Sequence, residues 1–140
     1  MGIFGSFFEK LKERLSRQMA WDADDGYPFF GNPLVRLIAA FSVAVIIGSF
    51  GAVYLFIVRG GGDTIVLHYN AYFGVDIVGA PEQAYFLPGM AVFFFLVNLI
   101  LAARFYEGRE RIASHMLLFS GLFIALSSGV AVAALSFINT

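Results

Sequence analysis

The residues best suited to chemistry lie close together: His68, Tyr69, Asn70, Tyr72, Asp76 and Glu82. A histidine with carboxylates nearby is the set used for proton transfer or metal ligation. A zinc site needs three or four closely placed ligands, and this stretch offers one histidine and scattered carboxylates. The chain has no Cys, and no Ser stands at a spacing from His68 that pairs a nucleophile with its base. These residues therefore imply either a hydrogen-bonded cap or a recognition surface with exposed aromatics. In the cap, His68 and Asn70 fix a turn and Asp76 holds them. The expectation is a protein that is not an enzyme, with no catalytic residue, cofactor site or metal site.

Two further motifs resemble sites. Asp22, Asp24 and Asp25 before Gly26 faintly resemble a calcium loop, but Asn32 stands where the bidentate Glu belongs. The stretch reads as a solvated acidic linker. The opening Met-Gly-Ile-Phe-Gly-Ser fits a myristoylation pattern, which operates only in a eukaryotic host.

The elements that must position these residues are set by composition. Of 140 residues, 59% are hydrophobic and 14% charged, with 17 Phe; the mean hydropathy is +0.79. Soluble domains average roughly 45–50% apolar and about 25% charged. Three apolar runs, 34–58, 86–105 and 112–138, each reach the roughly 20 residues that a helix needs to cross hydrocarbon. The fold class is thus an all-α membrane protein with three transmembrane helices. Residues 1–20 form an amphipathic interfacial helix in which Ile3, Phe4, Phe7, Phe8, Leu11, Leu15 and Met19 share a face opposite mixed charges. Residues 21–33 are a linker in which Trp21, Tyr27, Phe29 and Phe30 act as interfacial anchors. Residues 106–111 form a short connection, with Glu107 and Arg111 at i, i+4 spacing.

Eight of the nine Lys and Arg residues lie before or just inside the first span, or between the second and third. That bias places the N-terminus in the cytoplasm, and the 59–85 loop and the C-terminus outside it. In the loop, 64–69 and 72–78 read as strands of a short β-hairpin. Nucleic acid is excluded as a partner because no basic patch interleaves with aromatics.

Small residues recur every four positions on two spans: Ala40, Ala44, Gly48 and Ala52 on the first, Gly121, Ala125, Gly129 and Ala133 on the third. In lipid, helix association depends on close backbone approach, which such stripes allow. They can pair with each other within the chain, or serve a homo-oligomer or another membrane protein. The second span is bulky at Met90, Phe93, Phe94, Phe95 and Leu96, which suits lipid or a looser interface. Its Asn98 is an intramembrane polar residue placed to bond across helices, to Ser120, Ser127 or Ser128.

Leu67-His68-Tyr69-Asn70, then Gly74 and Asp76, then Leu87-Pro88 resemble a bacterial membrane domain of unknown function. Its pattern is a Pro-x-His-aromatic-Asn-x-x-Gly-x-x-Asp loop between hydrophobic helices, and its members include toxin-immunity and signalling proteins. Here Val66 replaces the Pro, and Gly74 is displaced by one position. The resemblance covers roughly residues 64–105 and implies a bacterial protein of the cytoplasmic (inner) membrane whose outer loop is built on His68, Asn70 and Gly74. Together these readings lead to the expectation of a small accessory or structural subunit of a membrane assembly, with membrane lipids and another membrane protein or further copies as partners. The alternative is a sensor or immunity-type binder that uses the outer loop.

Overall fold

The computed structural model describes residues 28–60, 62–70 and 72–139, together with Glu9, Lys10, Lys12 and Glu13, which are helical and exposed. The rest of the amphipathic segment, and the linker with Trp21, Tyr27 and the aspartates, lie outside the described residues. Helix α1 (Pro33–Ala52) starts where Asn32 accepts the Leu34 N–H at 2.9 Å and Pro33 supplies a first-turn residue with no N–H to satisfy. It runs into a π-helical turn, Val53–Val58, closed by Arg59 N–H on the Tyr54 carbonyl at 2.9 Å. Strands β1 (Ile65–Asn70) and β2 (Gly74–Gly79) form an antiparallel hairpin. A 3-10 turn, Pro81–Tyr85, leads into α2 (Phe86–Glu107), and α3 (Arg111–Ile138) completes the chain.

Three helical stretches are long and apolar enough to cross a membrane: Pro33–Val58, Pro81–Glu107 and Arg111–Ile138. Arg36, Arg104, Arg109 and Arg111 lie at one end of the bundle, and the hairpin at the other. The second helical path begins earlier than its apolar run, because Pro81 fits the first turn of a helix as well as it fits a loop.

Helix α3 is central and packs along both others, while α1 and α2 meet much less. The core is stacked in three layers. Phe29, Val35, Ile38, Ala102, Tyr106 and Leu118 close the basic end. Ile46, Ala91, Phe95 and Ala125 fill the middle. Val53, Ile57, Ile65, Ala84, Val132 and Leu135 close the hairpin end.

Several expectations change at this level. The bulky second span does not have the loosest interface: α2 and α3 make the most extensive pairing in the fold. The reason is size complementarity, for Phe95 and Asn98 of α2 lie over Gly121 of α3. The polar bond between these helices runs from the buried Ser114 hydroxyl to the Ala102 carbonyl at 2.8 Å. Asn98 instead donates to the Phe94 carbonyl of its own helix at 2.9 Å. The carbonyl one turn back is an acceptor within reach, and satisfying the amide there avoids an unpaired polar group in hydrocarbon. Phe29 is not an interfacial anchor but a core residue, edge-on to Tyr106 at 5.5 Å, whereas Phe30 stays exposed.

The α2–α3 connection breaks the helix between Glu107 and Arg111, so their spacing is no longer that of one helical face. Glu107 lies 4.0 Å from Arg104, and the Arg111 guanidinium stands over the Tyr106 ring. Arg109 N–H bonds to the Tyr106 carbonyl and Glu110 N–H to that of Phe105, the crossed pair of a Schellman stop. Its left-handed position falls on Arg109, φ 64°, rather than on Gly108, a placement that costs roughly 1 kcal/mol against glycine.

Candidate functional site

The hairpin is built from alternation. Ile65 and Leu67 turn toward the helices, where Ile65 is buried and Leu67 packs on the same cluster. A strand's side chains alternate between faces, so His68 comes to the opposite, water-facing side. There its Nδ1 meets Asp76 Oδ1 across the strands at 2.7 Å, with both side chains substantially exposed. The register shifts by one where His68 pairs with Ile77, and returns at the Tyr69–Val75 pair.

The connection between the strands is set by two residues. Asn70 Oδ1 accepts the Tyr72 N–H at 2.8 Å, an Asx-turn that replaces a backbone bond. Gly74 has φ +79°, a conformation in which any other L-residue is strained. The stretch thus has the arrangement of a hydrogen-bonded cap: Asn70 and Gly74 shape the turn, and the His68–Asp76 pair ties the strands. Tyr69 is half exposed, and Glu82 lies apart, in the 3-10 turn beyond β2.

A two-stranded hairpin is marginal in water, and a residue far away in sequence holds this one. The Asn139 carboxamide accepts the Val66 N–H at 2.8 Å and donates to the Val66 carbonyl at 2.9 Å. The same nitrogen also reaches the Leu135 carbonyl at 2.8 Å. Asn139 therefore acts as one peptide unit of a third strand against the free edge of β1. An asparagine just past a long apolar run carries no local signal for this role, and sequence reading missed it.

Strand β2 is uncovered. Val75, Ile77 and Val78 are each half exposed or more, and Tyr72 and Phe73 at the tip are 92% and 85% exposed. Val66 directs both its main-chain groups to Asn139, so its partner Val78 also points its N–H and C=O outward, along an open edge.

The small-residue stripes separate. Gly121, Ala125 and Gly129 lie in the inner seam of α3: Gly121 faces Phe95 and Asn98, Ala125 is fully buried, and Gly129 faces Val45 and Ser49. Ala133 lies outside that seam, where Val132 and Ser136 are buried instead. On α1 the inner face is Val35, Ile38, Ser42, Ile46 and Ser49. Ala40, Ala44 and Gly48 are exposed on another face, and Ala52 is half-buried.

Among the described residues, no three His, Asp or Glu side chains come together as a metal site. Nor does any hydroxyl among them hydrogen-bond to the His68–Asp76 pair. The pair can orient an imidazole, and the hairpin presents a polar and aromatic surface. Being solvent-exposed, the pair contributes little to stability, at most about 1 kcal/mol. Asp76→Ala should therefore leave the helices' melting behaviour unchanged, while amide exchange in β1 and β2 rises by a few-fold. Comparisons with protein-family models, with curated proteins and with solved structures find no match to this chain.

Proposed function

We propose that this chain is a small integral subunit of a bacterial cytoplasmic membrane that packs laterally into a larger membrane assembly. The carrying observation is the uncovered face of α1. Ala40, Ala44 and Gly48 are exposed, while other residues make the contacts within the chain. A side chain added at Gly48 would meet nothing within 4 Å. Small residues in lipid are useful chiefly where another backbone comes close. The spans bury only 28%, 22% and 28% of their most apolar windows inside the chain, which leaves ample surface for a neighbour. Arginines at the end opposite the hairpin support a cytoplasmic N-terminus and an outer hairpin.

Gentle extraction of the tagged protein from its native membrane, followed by mass spectrometry of what accompanies it, tests the reading. A stoichiometric partner, or a defined homo-oligomer, is the expected result. A stable monomer that copurifies with nothing would overturn it.

A second reading, favoured by the exposed tip residues Tyr72 and Phe73, is an outer-surface binder of the sensor or immunity type. The loop resemblance to toxin-immunity proteins points the same way. Tyr72→Ser with Phe73→Ser should then abolish the response to the ligand without affecting membrane insertion. An unchanged response would end that reading.

A further inference from the structure

A cavity of about 730 Å³ opens beneath the hairpin. Leu67 of β1 covers it, Leu135 of α3 backs it, and the chain from Ala84 to Leu87 forms its wall. Glu82 and Gln83, both exposed, and the half-buried Tyr85 supply its polar groups. The volume lies within the roughly 300–1,000 Å³ of small-molecule sites, which are likewise mostly apolar with few polar groups.

Its depth identifies the medium that fills it. Leu87 is in the first turn of α2 and Leu135 in the last turn of α3, so the floor lies where the apolar spans end. Glu82 precedes α2, in the 3-10 turn at the very start of the second apolar stretch, which is headgroup level for a chain that spans the membrane along these helices. Val75 and Ile77 belong to β2, the strand that the helices leave uncovered. Both are half exposed, and Phe86 at the cavity's side is 70% exposed. Leu67, Phe86, Leu87 and Leu135 thus make an apolar slot at the hairpin end of the bundle.

The charge at this slot is specific. The lining contains one carboxylate, Glu82, and no Lys or Arg, and no ion pair engages Glu82 among the described residues. An anionic headgroup would meet a carboxylate with no cation to offset it. A headgroup bearing an ammonium would meet its counter-ion.

We propose that the cavity is a binding site for a phospholipid of the hairpin-side leaflet, with an acyl chain against Leu67, Leu87 and Leu135 and a headgroup ammonium at Glu82. The site is independent of any assembly partner and requires only that the chain span the membrane.

The test uses the full chain in vesicles of equal phosphatidylethanolamine and phosphatidylglycerol with matched acyl chains. It is then released into mild detergent, and retained lipid is counted by native mass spectrometry. One retained lipid is expected, with phosphatidylethanolamine preferred about two- to fivefold, the ratio an exposed ion pair supports. Glu82→Gln, a surface change that leaves the packing alone, should bring the ratio to about one while a lipid is still retained. Leu67→Trp, which fills the cavity from above, should release it. A wild-type chain that retains no lipid or holds both headgroups equally overturns the proposal, as does a preference that survives Glu82→Gln or a folded Leu67→Trp chain with undiminished retention.

Discussion

Replacing Gly121 with leucine should destabilise the helical bundle by about 1–3 kcal/mol, the usual cost of forcing extra atoms into a packed core. A β-carbon at Gly121 would already lie 3.4 Å from Asn98 Cβ, 3.5 Å from Phe95 Cδ2 and 3.9 Å from Phe95 Cα. Those are ordinary contacts, so Gly121→Ala should be tolerated, and stabilising where the helix gains from losing a glycine. The remaining atoms of leucine have nowhere to go, because the neighbour includes the main chain of α2 and not only a side-chain end. The α2–α3 pairing, the largest in the fold, would have to open. Gly48→Leu provides the contrast, since that position faces open space within the chain. It should leave unfolding of the isolated chain in detergent within about 0.5 kcal/mol of wild type, while weakening recovery of any partner held on the Ala40–Ala44–Gly48 face. Equal destabilisation by the two leucines would show that α1 does not present that face outward. No destabilisation by Gly121→Leu would show that α2 and α3 do not meet at this seam.

The same contrast shows how much of the fold was legible in the sequence. Apolar length alone located three helices long and apolar enough to cross a membrane, because a run that matches the hydrocarbon thickness is a physical requirement that few other contexts impose. The β-prone stretches 64–69 and 72–78 and the turn signal at Asn70 located the hairpin, whereas Gly74, read as part of the second strand, has the positive φ of the turn. The orientation of the stripes was not legible. A residue repeat every four positions marks a helical face but carries no information on whether that face looks inward or outward. Thus Gly121, Ala125 and Gly129 line the inner seam, while the similar Ala40, Ala44 and Gly48 do not. The packing of α2 was hidden for a related reason: bulk at Phe95 forbids close approach only if the facing helix is also bulky, and α3 presents Gly121 there. Asn98 and Asn139 illustrate the limits for polar groups. Both sit in or beside apolar helices, yet one turns back on its own helix and the other spans to a strand 73 residues away.

Asn139→Ala should loosen the hairpin without unfolding the helices. The carboxamide makes three bonds, two to the Val66 main chain and one to the Leu135 carbonyl. A net hydrogen bond is worth about 1 kcal/mol, and an abandoned, partly buried partner adds to the loss. Loss of the Val66 pair therefore comes to about 2 kcal/mol of docking free energy, roughly a 30-fold rise in local opening. Hydrogen exchange at the Val66 amide and along β1 reads this directly, while α1 and α2 amides keep their protection. Asn139→Asp sharpens the argument. The carboxylate retains an acceptor for Val66 N–H but loses both donors and turns a charge toward the Val66 and Leu135 carbonyls. It should loosen the hairpin at least as much as alanine does. Ile65→Ala addresses the competing explanation, that burial in the cluster with Val53, Ile57 and Leu135 holds the hairpin by itself. Truncating a buried isoleucine costs about 2–5 kcal/mol, and that loss should appear in the hairpin and in the outer layer of the helices together. If Ile65→Ala frees the hairpin and Asn139→Ala leaves exchange unchanged, apolar burial is the anchor and the carboxamide merely fills an edge. If both free it, the end of α3 and the hairpin are one cooperative unit, and a change at either end of the Asn139–Val66 contact will be felt at the exposed tip.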